Sequence, residues 1–249
     1  MNEQSLSENR FIDLSKQADR KGVVCFSDFL TLNELNILEK ARHLLYSQTE
    51  ISGGYENAER QIAAFIPDAL YYTWEYPIDC IRFAPTYPKF ADVLSHRDIL
   101  GAIMNLGIER SKIGDILVKS QEYFVFCKQE LSHYIIEELT QIRHTVVTGS
   151  IIMPEAMDVQ ADFDSYEKII ASNRLDSITA AMAGVSRSQA VVLIHNGKIY
   201  INGAECLHNT YICKPNDVIS IRGTGKFIFD GISGETRKNR IKISYRQYK

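Results

Sequence analysis

The stretch from Asn173-Arg174-Leu175-Asp176 through Gly184, Ser186-Arg187-Ser188-Gln189 and Gly197 to Ile201-Asn202-Gly203 spells two short helices and a strand. Asn173 suits a helix N-cap with an acid three residues on, and Leu175, Ile178 and Met182 share one face. Gly184 stands where a left-handed residue ends such a helix. Ser186 and Gln189 form an S-x-x-Q capping box that starts a second helix through Ala190, Leu193 and Ile194, closed by Gly197. Lys198–Ile201 then reads as a strand running into an Asn202-Gly203 hairpin turn. Working outward, Tyr211–Cys213, Val218–Arg222 after the Pro215-Asn216-Asp217 turn, Phe227–Phe229 and Ile241–Arg246 read as further strands. The last alternates Ile241, Ile243 and Tyr245 with Lys242, Ser244 and Arg246, one apolar face and one mostly basic.

Charge singles out the same region. Residues 172–249 carry 12 Lys+Arg against 5 Asp+Glu, a balance of +7, whereas residues 1–171 carry 16 against 26, a balance of −10. Clustered cations of this kind are what neutralising a phosphate backbone requires. Both predicted helices also place an arginine in the first turn, Arg174 and Arg187, where the helix dipole disfavours a cation. An anion shared between each guanidinium and the free backbone N–H groups would explain both, so the pair reads as two phosphate clamps. Asp176 is expected to orient Arg174 rather than act as a base.

Composition bounds the alternatives. At 249 residues and 45% hydrophobic content the chain can bury real cores. It has no apolar run of about 18 residues, so a membrane partner is not expected. The N-terminus lacks a basic segment followed by an apolar one, so a secretory signal is not expected either. Cys25, Cys80, Cys127, Cys206 and Cys213 are scattered and never spaced as CxxC, which predicts a reducing cytoplasm without disulfides or a zinc site. No glycine-rich nucleotide loop of the GxxxxGK[ST] or GxGxxG type is present; no cofactor, metal or catalytic residue is predicted.

Upstream, residues 1–76 read as mostly helical, with Phe29, Leu32, Leu35, Leu38 and Leu44-Leu45 on an apolar spacing. Ser52-Gly53-Gly54-Tyr55 marks a tight turn or a close backbone approach. Residues 77–149 alternate strand and helix: Ile78–Ala84, helix His96–Leu106 closed by Gly107, Ile113–Lys119, Tyr123–Lys128, a helix through Leu131, Ile135 and Leu139, and His144–Thr148. That order, β-α-β-β-α-β, is the ferredoxin-like plan that RNA-recognition modules also use. Tyr123-Phe124-Val125-Phe126 is assigned to half-buried sheet packing rather than base stacking. Residues 150–171 carry Glu155, Asp158, Asp162, Asp164 and Glu167 against Lys168 alone, and read as a solvated linker. The fold class is therefore α+β: a helical N-terminal region (1–76), an RRM-like α/β plait (77–149), an acidic linker (150–171) and a small RNA-binding domain of two helices plus strands (172–249).

Arg174-Leu175-Asp176, Ser186-Arg187, Ile194-His195-Asn196-Gly197-Lys198, Ile201-Asn202-Gly203 and Asp217–Gly223 resemble the αL RNA-binding domain first described in ribosomal protein S-four. Ser52–Tyr55 with Glu59-Arg60, His96–Gly101, and Leu106–Ile116 further resemble the bacterial YlmH family. The resemblance implies a cytoplasmic, non-enzymatic RNA-binding factor. Its partners would be large-subunit ribosomal RNA and tRNA-bearing complexes, in translation or ribosome-associated quality control. It places RNA contacts on Arg174, Asp176 and Arg187, with Ser186, Lys198, Arg222 and Lys226 as additions. His96, Arg97, Arg110 and Lys112 match the family pattern and are candidates for a second contact, with a structural role as the alternative. Two other classes stay open: an RNA-modifying enzyme anchored by the C-terminal domain, and a cell-division adaptor. Nothing in the sequence demands more than a monomer.

Overall fold

In the computed structural model, which describes residues 3–153, 162–237 and 239–248, the chain forms two units, Met1–Gln160 and Ala161–Lys249. The first begins α1 (Glu3–Lys21), β1 (Cys25–Leu30), α2 (Leu32–Ala41), β2 (Gln48–Ser52) and β3 (Gln61–Ile66). The strands form an antiparallel sheet of order β1-β3-β2, which the expectation of a mostly helical region did not include, although helix still outnumbers strand there. Phe29 lies in β1 and not on the helical stripe, because Thr31 caps α2: Glu34 N–H donates to Thr31 Oγ1, and Thr31 N–H donates to Glu34 Oε2 at 2.8 Å. Upstream of that cap Cys25, Ser27 and Phe29 are buried at alternate positions, the period of a strand.

The plait follows: β4 (Ile78–Pro85), α3 (His96–Met104), β5 (Ile113–Lys119), β6 (Glu122–Lys128), α4 (Ser132–Glu138), the short β7 (Gln141–Ile142) and β8 (Thr145–Ile152). Every neighbouring pair in the sheet, of order β5-β6-β4-β8-β7, is antiparallel. The predicted β-α-β-β-α-β order holds, with β7 added at one edge. A capping box of Ser95 and Asp98 starts α3, and Gly107 at φ 80° follows its end.

The sheet is buried on both faces. Ile81, Phe83, Tyr123 and Val125 pack under α3 and α4 against Ile99, Ile103 and Ile135. On the opposite face Cys80, Phe124 and Phe126 pack against Phe29 and Ile62 of the N-terminal sheet, with Tyr55 stacked on Phe126 at 4.7 Å. Phe124 and Phe126 are 2% and 0% exposed, so the assignment to packing stands and burial is complete rather than half. The glycines are what let the sheets meet. A Cβ on Gly114 would lie 2.6 Å from the Phe29 ring, and Gly54 takes φ +88° with the Phe126 ring 2.9 Å from where its Cβ would sit. This is the close-approach reading of Gly53-Gly54.

The second unit comprises β9 (Phe163–Ile170), α5 (Leu175–Ala183), α6 (Arg187–His195), β10 (Ile199–Ile201), β11 (Ala204–Glu205), β12 (Asp217–Ile221), β13 (Gly225–Glu235) and β14 (Ile241–Tyr248). They build one antiparallel sheet of order β11-β10-β12-β13-β14-β9, with Leu175, Ile178, Met182 and Ile194 of the helices packed on Ile219, Phe227, Phe229 and Ile243. The acidic stretch 150–171, read as a linker, is strand at both described ends: β8 runs to Ile152, and β9 pairs with β14 along its whole length. Its side chains are largely exposed because β9 is the sheet edge, and charges on an edge strand discourage further pairing. Glu167 meets Lys242 at 2.7 Å and Tyr166 stacks on Tyr245 at 5.3 Å. Glu155 and Asp158 lie outside the described residues.

Candidate nucleic-acid interface

Gly184 ends α5 in the left-handed conformation at φ 66°, as its position predicts. Two residues later the Ser186–Gln189 capping box starts α6. The short connection brings both helix starts to one carboxylate. Asp176, 3% exposed at its side chain, accepts from Arg187 Nη2 at 2.9 Å and faces Arg174 Nη2 at 3.5 Å, both through Oδ2. The arginine side chains keep 36% and 49% of their exposure. Two cations thus share one anion and leave a surplus positive charge at the surface. The acid reaches both arginines, where the sequence predicted only Arg174. Holding each guanidinium before a ligand arrives lowers the ordering penalty of binding.

The first clamp differs from the prediction in its backbone. Arg174, not Asn173, is the N-cap residue of α5, and its side chain makes no capping bond. Asn173 instead donates through Nδ2 to the Cys213 carbonyl at 2.9 Å. The Leu175 and Asp176 N–H groups donate to the carbonyls of Tyr211 and Asn209 at 2.8 and 3.2 Å, so they are already occupied. At α5 an anion would therefore meet the Arg174 side chain and not a bare helix terminus. At α6 the capping box uses the Gln189 N–H, leaving those of Arg187 and Ser188 among the donors a helix cannot satisfy internally. At α6 the helix start follows the sequence expectation, with Ser186 acting as the cap; its hydroxyl also lies 3.0 Å from that of Ser188.

Sequence reading missed the anchor of this arrangement. Asp217, 5% exposed, accepts from Tyr211 OH at 3.0 Å, Lys214 N–H at 2.8 Å and Asn202 Nδ2 at 2.9 Å. It thereby fixes the 209–214 segment whose carbonyls occupy the start of α5. Burial and the Asp217 charge push the Tyr211 hydroxyl well above its ordinary pKa, and burial pushes the Cys213 thiol up to about 12. An acid following the Pro215-Asn216 turn was the available signal.

The additional cations lie further along the sheet. Lys198 and Arg222 are joined by a 2.9 Å backbone bond from the Arg222 N–H to the Lys198 carbonyl, and both side chains are exposed. The Arg222 guanidinium lies over the Tyr200 ring at 4.8 Å, and Lys226 Nζ lies over Tyr248 at 5.7 Å. Cations laid over aromatic rings form a surface suited to phosphates and bases together.

The four central candidates divide. Arg110 donates through Nη1 to the Ile113 and Gly114 carbonyls, and burial with the nearby Arg60 charge lowers its pKa to about 10. Arg60 donates to the carbonyls of Phe29 and Ile113 at 2.8 and 3.0 Å, and Asp115 accepts from Tyr55 OH and the N–H groups of Glu59 and Arg60. These residues tie the N-terminal sheet to the plait; Arg110 has a structural role. Lys112 pairs with Asp28 at 2.9 Å beside Arg10 at 3.2 Å and Lys128 at 4.0 Å. His96 and Arg97 stand exposed on the first turn of α3.

A capped helix pair on a small antiparallel sheet, with cations gathered at the helix starts, defines an RNA-binding module of the S4 class, and residues 174–219 match the S4 domain model. Residues 76–153 match the model described as "Putative RNA-binding domain in YlmH". The two matches together support the YlmH family, with a C-terminal S4 domain. "Ribosome-associated protein quality control protein P2" of Bacillus subtilis (strain 168) is 29% identical over 229 residues, spanning 90% of this chain and 87% of that protein. The solved structure of "Cell division protein ylmH from Streptococcus pneumoniae" aligns with a TM-score of 0.52 at 21% identity, covering 63% of this chain and 95% of that one. That likeness speaks to the fold.

Proposed function

We propose that this protein is a non-enzymatic RNA-binding factor of the cytoplasm that docks its S4 domain on structured RNA of the large ribosomal subunit. Bound tRNA lies beside it, and the setting is translation or ribosome-associated quality control. The observation that carries the reading is the pair Arg174 and Arg187 held on the single buried carboxylate of Asp176. Such a site offers directed donors to phosphates whose spacing is set by RNA shape, and little that reads base identity. The name of the Bacillus relative points to the ribosome as the source of that RNA. Among the described residues no single helix is long and apolar enough to cross a membrane, which fits the proposed location.

The test is sedimentation of tagged protein with lysate through sucrose gradients at low and high salt, beside an Arg174→Ala/Arg187→Ala variant. Wild-type protein travelling with the large subunit, released by salt and by the double substitution, supports the proposal. Folded variant protein that sediments unchanged contradicts it.

A further inference from the structure

The face on which an RNA-recognition plait stacks bases is closed in this chain. Phe124 and Phe126 are sealed under Phe29, Ile62 and Tyr55. Yet the plait, residues 76–153, is the part that matches the YlmH RNA-binding model. Its two most exposed rings lie elsewhere, on the segment joining β4 to α3. Tyr87 and Phe90 are 66% and 87% exposed, and Val93 is 95% exposed.

This segment is fixed at one end of the plait by a set of anchors. Thr86 N–H donates to the Val146 carbonyl at 3.0 Å, and Asp92 N–H to Thr145 Oγ1 at 2.8 Å. Asp92 accepts from the His144 N–H at 3.3 Å, and Gln121 Nε2, in the β5–β6 turn, donates to the Pro88 carbonyl at 3.3 Å. Residues 88–90 form a 3-10 turn opened by Pro88, so the two rings project from backbone that has little freedom left to lose. Both acids here have internal duties: Asp92 holds the β7–β8 turn, while Asp98 caps α3 and pairs with Arg143 at 3.1 Å. Lys89 and Arg97 have no acidic partner among the described residues, which leaves the end of the domain positive beside its rings.

We propose that this end of the plait, with Tyr87 and Phe90 as stacking platforms and Lys89 and Arg97 as phosphate contacts, binds unpaired nucleotides of RNA. Two rings separated by Pro88 and Lys89, with Asp92 following, suit separate bases better than a continuous apolar protein face. Stacking tolerates any base, so the contact reads single-strandedness and not sequence. The inference rests on the RNA-binding reading above but is independent of the arginine pair in the S4 domain.

The test uses the full-length protein and a fluorescein-labelled, unstructured RNA of about 12 nucleotides, read by anisotropy. Four forms are compared: wild type, Arg174→Ala/Arg187→Ala, Tyr87→Ala/Phe90→Ala, and Tyr87→Phe/Phe90→Trp, each checked for an unchanged circular dichroism melt. Loss of both rings should weaken binding by at least about tenfold, and the Phe/Trp form should retain it. The arginine variant should still bind this probe while losing the large subunit. If ring removal leaves affinity within about twofold, the proposal is overturned and the S4 reading is untouched. If ring removal matters but the arginine variant still binds the large subunit, the S4 reading fails and this one stands.

Discussion

At the scale of single residues, the molecule repeatedly surrounds one carboxylate with several cations. Burial alone would raise the pKa of Asp28, but the hydrogen bond from Lys112 and the charges of Lys112, Arg10 and Lys128 outweigh it and hold the group below its ordinary value. The fold therefore favours the ionised form. Its stabilisation is present above the ordinary carboxylate pKa and disappears as pH falls through the lowered folded value. Asp28→Asn should lose about 1–2 kcal/mol near neutral pH, and the difference in Tm from wild type should shrink in melts taken below about pH 4. Asp176 is the counterpart in the S4 domain. Asp176→Ala should cost about 1 kcal/mol of stability by removing the buried acceptor that two half-exposed guanidinium groups share, and should weaken RNA binding even though the site gains positive charge. Tighter binding by a folded Asp176→Ala protein would show that net charge, not arginine pose, governs affinity. The arginines and Asp176 were legible in sequence because cations at helix starts violate a local preference. Asp217 was not, since its three partners come from Asn202, Tyr211 and Lys214 and meet only in the fold.

At the scale of elements, local chemistry decided what could be read. Capping boxes and left-handed glycines are complete within about four residues, so α5, α6 and the Asn202-Gly203 turn were visible. Ser186→Ala should lower stability by about 1 kcal/mol, measured by urea unfolding, by releasing the Gln189 N–H. The N-terminal sheet was hidden because the short β1 and β3 present apolar runs that also suit helices. Its dependence on bare glycine is open to test: Gly114→Ala forces a methyl into the Phe29 ring and should cost about 1–3 kcal/mol. The edge strand β9 was hidden by its own exposed charges. A fragment of residues 162–249 should unfold cooperatively, whereas one of residues 172–249, which uncovers β14, should melt lower or aggregate.

At the scale of the whole chain, a net charge of −3 conceals an acidic body and a basic S4 domain. An acidic body repels RNA at long range, and a basic end attracts it, so encounter is directed toward the S4 domain before any specific contact forms. The α+β class and the order of the plait were readable because helix and strand periods alternate cleanly there. That the plait's sheet is closed by a second sheet was not, because burial on both faces is a long-range outcome. The central claim is that Arg174 and Arg187 contact RNA phosphates, and the slope of log Kd against log salt for purified large ribosomal subunits tests it most directly. Removing a phosphate contact lowers that slope by about one, so Arg174→Ala/Arg187→Ala should weaken binding and reduce the slope by about two. A folded double variant with the wild-type slope and affinity would contradict the account.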